Sequence, residues 1–79
     1  MDRSEISSRV LRVIREKNQS VSGDISEESN FADLGMDSLD MAMMAMTIER
    51  EFKVDISSDE LLGVRVVQDV IDGLERKLQ

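Results

Sequence analysis

The sequence predicts an all-α fold: a small four-helix bundle with three longer helices near residues 3–17, 37–52 and 66–78, a short one near 57–63, and a long loop between the first two. Three observations predict it. Apolar residues recur at spacings of three and four in separate stretches, which is the period of one helix face. No stretch alternates apolar and polar residues as a strand would, and no proline interrupts the chain. Capping-box spacing, in which a short polar residue is followed three positions later by a glutamate, occurs at Asp2/Glu5 and at Ser57/Glu60. The 79 residues make a single domain spanning 1–79. A domain of this size buries only about 60% of the surface its unfolded chain exposes, so its stability is expected to be modest.

The first helix carries Ile6, Val10, Val13, Ile14 and Lys17 on one face, opposite a charged face, and packing the core is its expected role. Asn18 to Met36 shows no sustained period, and Gly23-Asp24 marks a turn. So long a connection inside a small domain is unusual unless it is anchored or functional. Val21, Ile25, Phe31 and Leu34 are spaced to anchor it on the core, which predicts an ordered loop.

The second helix carries two apolar stripes. Met41, Met44, Ala45, Ile48 and Phe52 form one, and Leu39, Ala42, Met43 and Met46 the other. At 100° per residue their centres lie about 150° apart. A peripheral helix buries one wide face, so one stripe must stay exposed; the alternative is a central helix buried all round. The longer stripe, ending at Phe52, is assigned to the core. The shorter one then forms an apolar surface patch, and such patches mark contact surfaces. Five of the six methionines fall between Met36 and Met46, and methionine adapts to varied shapes. Where the core stripe faces the last helix, Met41, Met44, Ile48, Ile56 and Val70 are expected to line a modest apolar pocket. A short helix comes next, Ser58 to Leu62, which Ser57 starts and Gly63 ends. In the last helix Val67, Val70, Ile71, Leu74 and Leu78 make the buried stripe, with Asp69, Asp72, Glu75 and Arg76 outside.

The formal net charge is −7, without histidine or cysteine and with two phenylalanines as the only aromatics. Such a chain repels nucleic acid, and it lacks the aromatic platforms on which single-stranded bases stack. Without cysteine there is no disulfide, zinc site or thiol nucleophile in the polypeptide. Without histidine the commonest general base is missing, so no serine can be activated in a Ser-His arrangement. Asp33, Asp37 and Asp40 lack the spacing of a calcium loop. The chain is therefore expected to be no enzyme and to hold no metal. No signal peptide or membrane-spanning run is visible, so a cytoplasmic monomer is expected. Between Asn18 and Glu60 eleven acidic residues stand against Arg50 and Lys53, while Arg3, Arg9, Arg12, Arg15 and Lys17 make the first helix basic.

The acidic field surrounds Leu34-Gly35-Met36-Asp37-Ser38-Leu39-Asp40. Gly35 is a turn signal. Asp37 suits the cap of the second helix, because its carboxylate can accept bonds from unpaired N–H groups of the first turn. Ser38 then lies at the positive end of the helix, where a phosphate ester is favoured by roughly 0.3–1 kcal/mol if exposed. No lysine or arginine lies near Ser38 in sequence, so free phosphate would be held poorly. A phosphate there must be attached covalently by another enzyme.

The stretch Phe31-Ala32-Asp33-Leu34-Gly35-Met36-Asp37-Ser38-Leu39-Asp40 resembles the attachment motif of the acyl carrier proteins. The resemblance runs from about Phe31 to near the C-terminus, and the first helix and loop fit in outline. It implies an acyl-carrier-like bundle in which Ser38 bears a 4′-phosphopantetheine arm, moved from coenzyme A by a phosphopantetheinyl transferase that Asp37 helps to engage. Acyl groups would then ride as thioesters on the arm's terminal thiol, delivered to acyl-loading, condensing and modifying enzymes with basic patches. Leu39, Ala42, Met43 and Met46 would meet these partners, with Asp40, Glu49, Glu51 and Asp55 steering the approach. Fatty-acid, polyketide or other specialised lipid or secondary-metabolite biosynthesis would be served. Met43 falls where many fatty-acid carriers have glutamate, and Arg50 where they are more acidic. The rival reading is an acidic helical adaptor without a prosthetic group, which binds one partner through the methionine-rich face of the second helix.

Overall fold

Helix α1 (Arg3–Lys17) is the element on which the rest of the chain packs. The computed structural model describes residues 1–17 and 24–79, without the side chain of Lys17. Among these, α1 is followed by α2 (Ser38–Phe52), α3 (Ser58–Leu62) and α4 (Val67–Lys77), with no strand. The expected helices are thus present, each end within a residue or two. The expectations for Lys17, Val21 and the Gly23 half of the turn lie outside the described residues. Among the described helices none is long and apolar enough to cross a membrane.

The stripes explain the packing. Ile6, Val10, Val13 and Ile14 of α1 are buried against Met44, Ile48 and Phe52 of α2 and against Val67, Val70, Ile71 and Leu74 of α4. Fully burying one such side chain stabilises the fold by about 1.5–3 kcal/mol. The backbone of α1 lies against both α2 and α4, and α2 lies against α3, but the α2 and α4 backbones do not touch directly. A cleft is therefore left between them, lined by side chains from both.

Each helix start has a local cause. The Glu5 N–H donates to Asp2 Oδ1 at 2.9 Å. Ser57 and Glu60 form a reciprocal capping box on α3, and Gly63 serves as its C-cap. Helix α4 has no side-chain cap at Val66. Instead Asp69 Oδ2 accepts from the N–H groups of Arg65 and Val66 at 2.9 and 3.1 Å, while the Ser29 and Glu27 carbonyls accept from Val67 and Gln68 at 3.0 and 2.8 Å. The loop thus satisfies donors that the first turn of any helix leaves unpaired. The Phe31 N–H donates in turn to the Arg65 carbonyl at 3.0 Å, and Asn30 and Val66 form an isolated antiparallel bridge.

Arg3 fastens the same junction from the other side, reaching Glu27 and Asp72 at 2.8 Å and Glu75 at 3.2 Å. The hydrogen bond from Arg3 holds the Glu27 carboxyl below its usual range. The loop is anchored as expected: Ile25 and Phe31 are buried in the core and Leu34, half-buried, packs against it, while Met36, not expected as an anchor, is buried as well. Gly35 adopts φ +78°, a left-handed conformation that reverses the chain. The Met36 N–H then returns to the Phe31 carbonyl at 3.1 Å, and its side chain turns inward.

Candidate functional site

Ser38 is the first residue of α2 and is exposed. Asp37 before it is the N-cap, with extended backbone. Its Oδ1 accepts from the Asp40 N–H at 2.9 Å, and Asp40 Oδ2 accepts from the Asp37 N–H at 3.1 Å. The two carboxylates thus close a capping box around the serine and fix the backbone from which its hydroxyl projects. Capping by Asp37 was legible in the sequence. The return bond from Asp40 was not.

The two stripes of α2 separate as the angle between them requires. Met44, Ala45, Ile48 and Phe52 are buried. Leu39, Met43 and Met46 are 67%, 50% and 57% exposed, and Ala42 is exposed beside them. An apolar strip therefore starts one residue after Ser38 and runs down the outer face of the helix. Leu62 of α3, 83% exposed, is a further apolar residue, beside Ser38 and Met41, that sequence reasoning did not single out. Its only signal was a Leu-Leu pair in a helix too short to bury both.

The acidic side chains assigned to steering are less uniform than expected. Glu51 is paired with Arg12 of α1 at 2.6 Å, which cancels much of its outward field. Glu49 Oε2 accepts from the Ile56 N–H at 2.9 Å and thereby ties the connector after α2 to the helix. That bond holds its side chain in place. Asp55 is exposed.

Two of the concavities along the serine helix contain residues expected in the pocket. A cleft of about 340 Å³ opens between α2, α3 and α4, with Met44, Ile48, Ile56 and Val70 among its lining residues and Asp59, Glu60, Arg76 and Lys77 at its rim. That volume is at the small end of the range for ligand sites, roughly 300–1,000 Å³. Met41 is not part of it. One turn nearer the start of α2, Met41 lines a second, more open hollow directly beside Ser38, together with Asp37, Leu61, Leu62, Val64 and Arg65. The expected five-residue pocket is thus two sites, because three residues along a helix shift a side chain by nearly a full turn. At the cleft rim Lys77 bonds Glu60 at 2.8 Å and holds its carboxyl below the usual range.

The comparisons with known proteins agree with this geometry. Residues 8–74 match the family model described as the phosphopantetheine attachment site. The chain is 32% identical over 77 residues to the acyl carrier protein of Porphyromonas gingivalis, covering 96% of this chain and 99% of that one. It is 33% identical over 78 residues to that of Prochlorococcus marinus, covering 98% of each. The crystal structure of an acyl carrier protein from Thermotoga maritima superposes with a TM-score of 0.83 at 32% identity, over 99% of this chain and 92% of that one. The helical bundle and the matched attachment family define a carrier domain. The chain belongs to the acyl carrier protein family, whose members hold acyl groups on a 4′-phosphopantetheine arm. The family match decides for the carrier and against the adaptor without a prosthetic group.

The residues present fit that group. The attachment of a phosphate ester needs an exposed hydroxyl that no core contact immobilises, and Ser38 supplies it. The open hollow beside Ser38 leaves room for an arm to lie against the protein.

Proposed function

We propose that Ser38 is the residue that carries the arm and that a phosphopantetheinyl transferase is the enzyme that installs it. The observation that carries this reading is the exposed Ser38 hydroxyl, one residue past the Asp37 cap, at the start of a helix whose outer face is an apolar strip. When bound, the arm supplies a terminal thiol on which acyl groups form thioesters, which the cysteine-free polypeptide lacks. The chain's own residues do the rest. Asp37 and Asp40 fix the backbone of the serine, and the N-terminal end of α2 favours the negative phosphodiester. Leu39, Ala42, Met43 and Met46 meet the transferase and the acyl-loading, condensing and modifying enzymes, with the charges of Asp40, Glu49 and Asp55 at the edge of that face. Met44, Ile48, Ile56 and Val70 offer the cleft as shelter for an acyl chain. The carrier works as a monomer, since its charge of −7 opposes self-association.

Intact mass tests the attachment. Wild type and Ser38→Ala are incubated with coenzyme A, Mg²⁺ and a broad-specificity transferase. One phosphopantetheine is expected on wild type and none on the variant; a modified Ser38→Ala would move the attachment elsewhere. The cleft is tested by loading a medium-chain acyl group and following methyl resonances. Shifts at Met44, Ile48, Ile56 and Val70 are expected, and unchanged shifts would remove the shelter.

A further inference from the structure

The phosphodiester that links an arm to Ser38 is an anion, and in sequence its neighbours are Asp37 and Asp40. Free in solution, that arrangement is repulsive. Tertiary structure changes it. The segment between α3 and α4 returns beside the start of α2, and Arg65 becomes the one cation among the described residues that lines the hollow beside Ser38. This placement is firm, because the Arg65 backbone is fixed at both polar atoms. Its N–H donates to Asp69 Oδ2 at 2.9 Å, and its carbonyl accepts from Phe31 at 3.0 Å. The side chain is not used in the same way. Arg65 is exposed, and its guanidinium enters none of the ion pairs among the described residues, unlike Arg3, Arg9 and Arg12. Asp69 is the acid that its charge reaches, but the Asp69 carboxylate already serves two backbone N–H groups. A long, exposed guanidinium is thus available to a phosphate oxygen, for which its planar fork is well matched.

The rest of the hollow suits the part of the arm next to the phosphate. Met41, Leu61, Leu62 and Val64 make an apolar lip around it, and the geminal methyl groups of pantetheine come directly after the phosphodiester. We propose that Arg65 is a positioning residue for the arm: its guanidinium pairs with the phosphodiester on Ser38 and lays the pantetheine methyls against Leu61 and Leu62. This rests on Ser38 carrying the arm. It gives the carrier a docked arm in the absence of a partner, with the thiol led along α3 toward the cleft rather than outward from α2.

The test uses isotope-labelled full-length protein: wild type, Arg65→Gln, Arg65→Lys and, as a control cation elsewhere, Arg76→Gln. Each is converted to the arm-bearing form and checked by intact mass, and each unmodified variant is compared with wild type by thermal unfolding. In wild type, conversion is expected to shift the Arg65 Nε–Hε resonance and the Leu61 and Leu62 methyls. In Arg65→Gln the methyl shifts are expected to fall roughly twofold to fivefold, the range in population that an exposed ion pair supports. Arg65→Lys should retain part of them, Arg76→Gln all of them, and raised salt should reduce them in wild type. A purely structural role for Arg65 would lower the unfolding temperature and leave the modified methyl shifts unmoved. A full mass gain with equal methyl shifts in wild type and Arg65→Gln would overturn this proposal alone. No mass gain on wild type, with an active control carrier, would overturn it together with the Ser38 reading.

Discussion

At the scale of single residues, Asp37 combines a structural task with a place in the motif. Its carboxylate satisfies the Asp40 N–H, one of four donors that the start of α2 leaves unpaired. Asp37→Ala should cost about 0.5–2 kcal/mol, the usual range for losing such a cap, measured by urea unfolding. The same variant should slow arm installation, since the serine loses its fixed backbone; unaltered transferase kinetics would separate the two tasks. Arg3 gives a pH prediction. The carboxyls of Glu27 and Asp69 sit below their ordinary values of 4.5 and 3.8, the first through the Arg3 hydrogen bond and the second through backbone N–H groups. A depressed folded-state value means that the unfolded chain binds protons first as pH falls. The stabilisation is therefore complete above about pH 4.5 and is lost as pH drops through the folded-state values. Arg3→Gln should lower stability at neutral pH, and its difference from wild type should shrink below pH 4.5 as Glu27 is protonated. A difference that stays constant with pH would mean that the Arg3 clamp contributes through packing alone.

At the scale of the element, α2 is divided between two functions by helical period. Its inner face is core and its outer face is surface. Ile48, fully buried, should cost about 2–5 kcal/mol on change to alanine, because a cavity remains. Leu39→Ala on the outer face should change stability by less than about 0.5 kcal/mol. The same exposed substitution should lower kcat/KM for the transferase, by loss of apolar contact next to the reacting hydroxyl. Unfolding curves and transferase kinetics on the two variants check both statements. If Leu39→Ala left the kinetics untouched, the contact face would have to begin farther down the helix, at Met43 and Met46.

At the scale of the whole molecule, long-range repulsion and short-range ion pairs compete. The acidic excess is concentrated between Asn18 and Glu60, in a molecule whose extents of 32 × 25 × 19 Å exceed the Debye length of about 10 Å at 0.1 M salt. The ion pairs that oppose it are contacts of 2.6–3.6 Å, which salt screens less at such range. Exposed pairs are individually worth only about 0–1 kcal/mol. Salt between about 0.01 and 0.2 M should therefore raise the unfolding temperature, because it removes repulsion faster than attraction. A falling temperature over this range would mean that the Arg3, Arg12 and Lys77 pairs outweigh the repulsion.

Much of this protein was legible in its residues alone, for local reasons. Helix positions follow from the period of Ile6–Ile14, Met41–Phe52 and Val67–Leu74, and helix starts from Asp37 and Ser57, because period and capping act within four residues of sequence. The separation of the α2 stripes follows from a fixed angle per residue, so the exposed strip beside Ser38 is derivable from residue spacing alone. Features that depend on the path of the chain are not. Met36 joined Leu34 at the core because Gly35 reverses the backbone, a choice of dihedral angle that composition does not reveal. Met41 parted from the cleft because it lies one turn nearer the start of α2, where the hollow beside Ser38 opens instead, and the acids at Asp40, Glu49 and Glu51 were drawn into bonds within the fold. Arg65, twenty-seven positions beyond Ser38, was brought to the serine only by the pairing of the loop with the start of α4. Attraction between charges depends on distance in space, and that distance exists only once the chain has closed on itself.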